Sequence, residues 1–246
     1  MSILGIDIGG SGIKGALVDV ETGQLLTERY RLPTPEGAEP DAVAQTVAQI
    51  CKNFEYQGKL GIGFPAVVQH GVALTAANIS GAWIDLDADQ LFTKATGCST
   101  YVVNDADAAG VAEMKFGAGR EYQKGVVLIL TIGTGIGSAL FTEGILVPNT
   151  ELGHMDVEGK EAERRASDAI RKRKNLSWEK WANRFNKVLD NIERIFYLDL
   201  IILGGGISKD ADEFIRYLDT RTKVVPAQLL NTAGIVGAAM FAREEE

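Results

Sequence analysis

The sequence predicts an α/β fold made of two duplicated halves, and three observations carry that reading. The opening stretch SILGIDIGGSGIKGALVDVETGQLLTERYRL holds three apolar, strand-like runs separated by Gly-Gly-Ser-Gly and Glu-Thr-Gly, the punctuation of consecutive antiparallel hairpins. A second stretch, GVVLILTIGTGIGSALFTEGILVP, repeats this plan, with Ile8-Gly9-Gly10-Ser11-Gly12-Ile13 corresponding to Ile132-Gly133-Thr134-Gly135-Ile136-Gly137 and Gly23 to Gly144. Helical and strand-like segments alternate after each of them.

In the first half, DAVAQTVAQICKNF (Asp41 to Phe54) places Val43, Val47, Ile50 and Phe54 at helical spacing. LGIGFPAVV then reads as a buried strand, Leu86 to Thr96 as a short helix and TYVVN as a strand. In the second half Ser177 is the expected N-cap of a helix that buries Trp178, Trp181, Phe185, Val188, Leu189, Ile192 and Ile195 at spacings of three and four. LDLIIL reads as a strand running into Gly204-Gly205-Gly206, and IVGAAMFA as a last small, apolar helix after Gly234. No linker separates the halves. The expected domains are residues 1–105 and 106–246, and PTPEGAEP (Pro33 to Pro40) is expected as an exposed loop with no assignable task.

With 246 residues, 46% hydrophobic and 24% charged, the chain has the composition of an ordinary globular protein. The first ten residues lack a basic region followed by a long apolar run, and glycines and threonines break the longest uncharged run, so neither a secretory signal nor a membrane span is expected. A cytoplasmic location is the expectation. Two cysteines, Cys51 and Cys98, cannot supply a disulfide framework or a four-cysteine zinc site, and both are read as buried, inert thiols. The net charge of −8 argues against nucleic acid as a partner. It conceals an asymmetry: from Arg164 to Lys187 nine Lys or Arg residues face two acids, a local +7, which leaves −15 on the rest. Such a strip is either a solvated helix face or the footprint of one polyanionic ligand.

The two glycine hairpins, expected to face each other across a cleft, each offer closely spaced backbone N–H groups that a phosphate can approach without a Cβ in the way. Gly9, Gly10, Gly133 and Gly135 form these cradles, Lys14 adds a charge, and Ser11, Thr131 and Thr134 add hydroxyl donors. Neither stretch is a P-loop or a Rossmann fingerprint. Asp7, an acid at the end of an apolar strand, is the candidate ligand for a hydrated Mg2+, which takes one or two carboxylates and keeps its waters. In VVNDADAAGVAE, Asn104 or Asp105 caps the helix that follows. A helix N-terminus also keeps Asp105 ionised and able to accept a hydroxyl proton, which makes it the candidate catalytic base. Asp107 and Glu113 are assigned to first-turn electrostatics and helix surface.

DIGGSGIKG, VVNDADAAGVAE, LTIGTGIGSALF, NTELGHM and IILGGGISK resemble, in order and spacing, the motifs of the ROK family of sugar kinases, most closely its polyphosphate-using branch. The resemblance covers essentially the whole chain. It implies an actin-like, hexokinase-like (ribonuclease H-like) fold and phosphoryl transfer from polyphosphate, with ATP as a further candidate donor, to the 6-hydroxyl of glucose. It implies Asp105 as the base and Asn78, Asn104, Glu151 and His154 as holders of sugar hydroxyls, with Glu163 as a further contact. A homodimer is implied by the same resemblance. Many ROK proteins carry a CxCGxxGC zinc motif after Gly-His. The corresponding segment here has no cysteine, so no structural zinc is expected. The basic strip occupies that place, and Arg164, Arg165, Arg171, Lys172, Arg173 and Lys174 are its candidates for following a polyphosphate, as cations follow a nucleic-acid backbone. The nearest alternative is a strictly ATP-dependent ROK hexokinase, with Gly204, Gly205 and Gly206 facing the nucleotide. A non-catalytic, sugar-sensing ROK regulator is more remote, because DNA binding needs a basic face.

Overall fold

The computed structural model describes residues 1–77 and 79–244. It forms two compact units, Met1–Ala112 with Thr232–Glu246 and Glu113–Asn231.

In the first unit, β1 (Ser2–Gly9) and β2 (Gly12–Asp19) form the expected hairpin, antiparallel from Ser2↔Asp19 to Gly9↔Gly12. The short β3 (Gln24–Leu25) and β4 (Tyr30–Leu32) both pair with β2. The chain then forms α1 (Pro40–Asn53), whose first residue is a proline preset for a helix start and which buries Val43, Val47 and Ile50. Next comes β5 (Lys59–Phe64), parallel to β1, followed by a small sheet of β6 (Val68–Gln69), β7 (Val72–Ala73) and β8 (Leu86–Asp87). Asp87 caps α2 (Ala88–Thr96), its carboxylate accepting the Gln90 N–H at 2.9 Å, and Gly97 ends that helix at φ 74°. The strand β9 (Ser99–Asn104) lies parallel to β5, which gives the sheet order β3-β2-β1-β5-β9. Phe64, Trp83 and Phe92 are fully buried under it, with Phe64 and Trp83 ring centroids 4.5 Å apart.

From β9 the chain enters α3 (Asp105–Phe116), the helix on which it passes from one unit to the other. The second unit repeats the plan. β10 (Val126–Ile132) and β11 (Ile136–Thr142) form an antiparallel hairpin that β12 (Ile145–Val147) extends. Two short helices, α4 (Ala162–Ala166) and α5 (Asp168–Arg173), lead to α6 (Trp178–Ile195), capped by Ser177 through the Lys180 N–H as expected. Trp181, Phe185, Leu189 and Ile192 are fully buried, and the Trp181 indole donates to the Ala166 carbonyl at 2.7 Å. The strand β13 (Leu200–Gly204) runs parallel to β10, followed by α7 (Ala211–Phe214) and β14 (Val224–Pro226).

The final helix, α8 (Ala233–Glu244), corrects the domain boundaries read from the sequence. The first unit runs seven residues past Asp105, to Ala112, and takes back the C-terminal helix, which the sequence reading had placed in the second domain. The reason is packing at backbone distance. A Cβ at Gly5 or Gly61 would fall 2.0 Å from the Ile235 or 1.9 Å from the Ala238 carbonyl oxygen, so the glycines of β1 and β5 form a slot for this small, apolar helix.

A second correction concerns α3. Asp107 and Glu113, expected on its surface, are each only 1% exposed. The Glu113 carboxylate accepts backbone N–H groups of Ala118 at 3.0 Å, Gln228 at 3.1 Å and Leu229 at 2.7 Å, tying both ends of the second unit to one helix. Glu113→Ala leaves these buried donors unmatched and is expected to cost about 2–4 kcal/mol, more than a typical surface change, read as a fall in the denaturant midpoint.

Both cysteines are buried as expected, and desolvation together with the neighbouring Cys98 pushes the Cys51 thiol up to about 12. No helix among the described residues is long and apolar enough to cross a membrane.

Candidate active site

The first glycine turn, Gly9 to Gly12, sits where β1 and β2 meet. The Pro33 to Pro40 segment is not the idle loop expected. The Thr34 hydroxyl donates to the Gly9 carbonyl at 2.5 Å, and the buried Trp83 indole holds the Ala38 carbonyl at 2.8 Å. This segment, the turn, Ser80, Phe64 and Trp83 line an open pocket of about 330 Å³, at the small end for a ligand pocket. Asn78, the sugar ligand expected nearby in sequence, lies outside the described residues.

Asp7 and Lys14 are ladder partners, their charged groups 3.4 Å apart and both partly buried. On the other side Asp7 faces Gly63 of β5, and a Cβ on Gly63 would lie 3.7 Å from the Asp105 Cα. Asp7 and Asp105 therefore share the C-terminal edge of the parallel strands, the edge at which open α/β sheets bind ligands. The cap of α3 is now resolved. The Asn104 carbonyl oxygen Oδ1 accepts the N–H of Ala106 at 2.9 Å and of Asp107 at 3.1 Å, while its Nδ2 donates to Ala66 at 3.0 Å. Asn104 is the N-cap, and Asp105 is the first helical residue, half-buried. Asn104 Nδ2 carries a second hydrogen that the Ala66 carbonyl does not use.

In the second unit the other glycine turn is built alike, with Ile132 paired to Ile136. Ala169 at the start of α5 donates to the Gly133 carbonyl at 3.1 Å. Thr131 pairs with Gly204, and Gly205, at φ 76°, packs so close that a Cβ would fall 2.6 Å from the Ile132 nitrogen. The Gly204-Gly205-Gly206 segment and the Thr131 to Gly135 turn thus form one continuous rim of backbone, with Thr134, Gly205 and Gly206 exposed.

The expected sugar-binding residues of this unit also converge. A short turn at Leu152–His154 brings the His154 Nε2 to 3.7 Å from the Glu151 carboxylate. The His154 Nδ1 faces Glu161 at 3.5 Å, and Glu161 is held by the Arg164 Nε at 2.6 Å. Glu163 lies against the glycine turn, where a Cβ on Gly135 would fall 2.4 Å from its carboxylate oxygen. Burial pushes the Glu151 carboxyl above the usual range, and the Glu163 charge adds to this while His154 opposes it. His154, Glu161 and Glu163 present ligand atoms within 4.8 Å of one another, a set chemically able to take a cation. Two positioning groups were missed by sequence reasoning. The Ser138 hydroxyl donates to the Thr150 carbonyl at 2.6 Å and accepts the Leu152 N–H at 3.0 Å, which fixes the loop carrying Glu151. Glu161 was the other; a carboxylate seven residues after His154 has no local pattern to mark it.

The basic strip divides sharply. Arg165 is spent on the Val157 carbonyl and Glu158, and Arg171 on Asp168 and on the face of Trp178, 3.7 Å from the ring centre. Arg164 and Lys172 are exposed but paired, to Glu161 and Asp168. Arg173 and Lys174 are exposed at the end of α5, with no ion-pair partner among the described residues.

Duplicated hairpin-and-parallel-strand units with glycine turns and carboxylates at the strand ends define a hexokinase-like member of the actin-like (ribonuclease H-like) fold class. The chain belongs to the ROK family, whose model matches residues 3–167. It is 51% identical over 237 residues to the polyphosphate glucokinase of Mycobacterium tuberculosis (strain CDC 1551 / Oshkosh), covering 96% of this chain and 89% of that protein. Among solved structures it is similar to the inorganic polyphosphate/ATP-glucomannokinase of Arthrobacter sp. strain KM, with TM-score 0.95, 46% identity and 98% of both chains covered. It is also similar to a ROK family glucokinase from Streptomyces griseus in complex with glucose and AMPPNP, with TM-score 0.81, 25% identity and both chains covered in full.

Proposed function

We propose that this protein transfers the terminal phosphoryl group of inorganic polyphosphate, and of ATP as a second donor, to the 6-hydroxyl of glucose. The observation that carries the reading is the placement of Asp105, a carboxylate in the first turn of a 12-residue helix at the carboxyl edge of β5 and β9, directly after the capping Asn104. The likeness to polyphosphate glucokinase supports the donor and the sugar.

Asp105 accepts the proton of the attacking hydroxyl. Its positive helix end keeps it ionised, and a weak base suffices because the transition state of phosphoryl transfer is loose and the hydroxyl proton becomes acidic late. Asn104 is the sugar-orienting residue of the first unit, and Glu151, His154 and Glu163 are those of the second; each unit's glycine turn offers backbone N–H groups for phosphate oxygens, the first with Lys14 beside it. Asp7, a partly buried hard oxygen ligand beside the first turn, fits a hydrated Mg2+, which would neutralise charge on the phosphate oxygens. Exposed Arg173 and Lys174 are the members of the basic strip best placed to follow a long donor. A homodimer, which rests on family resemblance, and a cytoplasmic location complete the reading.

Purified protein given glucose with either polyphosphate or ATP, with glucose 6-phosphate measured, tests this directly; no product from either donor sinks it. Product from ATP alone favours the second reading, an ATP-dependent hexokinase, which one observation supports: the exposed Gly205-Gly206 rim beside the second turn.

A pH effect follows from Glu151. Its raised carboxyl protonates at higher pH than an ordinary glutamate, so the ionised form that accepts sugar hydroxyls is lost sooner as pH falls. The acid limb of kcat/KM for glucose is therefore expected above the usual glutamate range. Glu163→Gln removes the like charge and is expected to move that limb to lower pH, whatever it does to the plateau.

A further inference from the structure

The first glycine turn carries a cation that the reading above does not use. Arg31 of β4 is the ladder partner of Lys14, which is itself the partner of Asp7. Residues directly opposite in a sheet project to the same face, so Asp7, Lys14 and Arg31 form one row across β1, β2 and β4, running from the carboxylate to the sheet edge. The row leads outward past the turn.

Arg31 is not a loose surface side chain. Its Nη2 donates to the Ser11 carbonyl at 2.6 Å, and its guanidinium lies on Gly12, where a Cβ would fall 2.4 Å from Nε. Only a glycine at position 12 leaves it room. Lys14 is offset by Asp7 at 3.4 Å, whereas Arg31 has no ion-pair partner among the described residues. One of its five N–H groups is used on Ser11, and the rest of a fork shaped for phosphate is exposed at the rim of the turn.

We infer that Arg31 is a donor-binding residue: anchored on the Ser11 carbonyl, its guanidinium grips the phosphates of the donor chain that lie beyond the one cradled by the first glycine turn. A chain of phosphates has a charge to place at each step along the row, and Arg31 supplies the outermost countercharge. The inference rests on the polyphosphate reading of the function.

The test is steady-state kinetics of Arg31→Gln and Arg31→Lys with polyphosphate as the varied donor at several salt concentrations, beside glucose as the varied acceptor. Gln keeps an N–H donor at about the place of Nε and removes the charge together with the Nη2 that bonds the Ser11 carbonyl, so Arg31→Lys, which restores the charge without the fork, separates charge from bracing. The expected result is a polyphosphate KM raised about tenfold. Its salt dependence should be shallower by about one counterion, with the glucose KM within about twofold. Arg31→Lys should recover most of the loss. A polyphosphate KM that does not move in Arg31→Gln, or a glucose KM that rises in step with it, overturns the assignment; the second result marks a brace of the turn. Lack of recovery in Arg31→Lys also counts against a charge role. If the unaltered protein fails to use polyphosphate, the donor reading falls first and takes this inference with it.

Discussion

Asp105→Asn is expected to lower phosphoryl transfer by about 10²–10⁴-fold while glucose still binds. The amide keeps the shape of the carboxylate and its place after the Asn104 cap but cannot take a proton. Both donors should be affected alike, because the hydroxyl that loses the proton is common to them. The measurement pairs glucose 6-phosphate formation with glucose binding by calorimetry. A variant that binds glucose and retains near-normal turnover would remove Asp105 from its role. Asn104→Ala is the useful contrast. It frees the N–H groups of Ala106 and Asp107 and releases the Ala66 carbonyl, so stability should fall by about 1–2 kcal/mol as activity drops.

The second large effect is on stability. Gly237 of α8 meets α3 so closely that a Cβ would fall 1.6 Å from the Ala108 carbonyl oxygen. That neighbour is helix backbone and cannot swing aside. Gly237→Ala therefore has to separate two helices, and a cost at or beyond the roughly 1–3 kcal/mol of ordinary overpacking is expected. Gly135→Ala is the control, because its Cβ meets only the flexible end of Glu163. It should leave the melting temperature nearly unchanged and disturb glucose KM instead. Thermal unfolding followed by circular dichroism separates the two; equal melting temperatures for Gly237→Ala and the unaltered protein would refute the packing argument.

The hairpins were legible because glycine turns and period-two apolar runs are local signals, and the register of β1 with β2 and β10 with β11 follows from them. The Ser177 cap and most of the buried face of α6 were legible for the same reason, but Ile195, expected on that face, is exposed because it is the last residue of the helix, where the packed face runs out. Asp105 stood out as an acid at a strand-to-helix junction. What escaped were residues whose partners are distant in sequence. Glu113 looks like a solvated helix acid until Gln228 and Leu229 arrive to donate to it. Arg165 and Arg171 look like part of a polyanion track until Val157, Glu158 and Trp178 claim them. The Pro33 to Pro40 segment looked idle because nothing in it shows that Thr34 would bond Gly9.

The sequence by itself determined the two repeated hairpins, the helical and strand segments after each, and the candidate groups for binding phosphate or taking a proton, since these depend on spacing within a few residues. Tertiary structure alone decided that α8 returns to the first sheet, which carboxylates are buried, and which arginines keep a charge to offer. Those outcomes depend on desolvation and on contacts made across many residues, where a side chain's surroundings, and not its neighbours in the chain, set its energy.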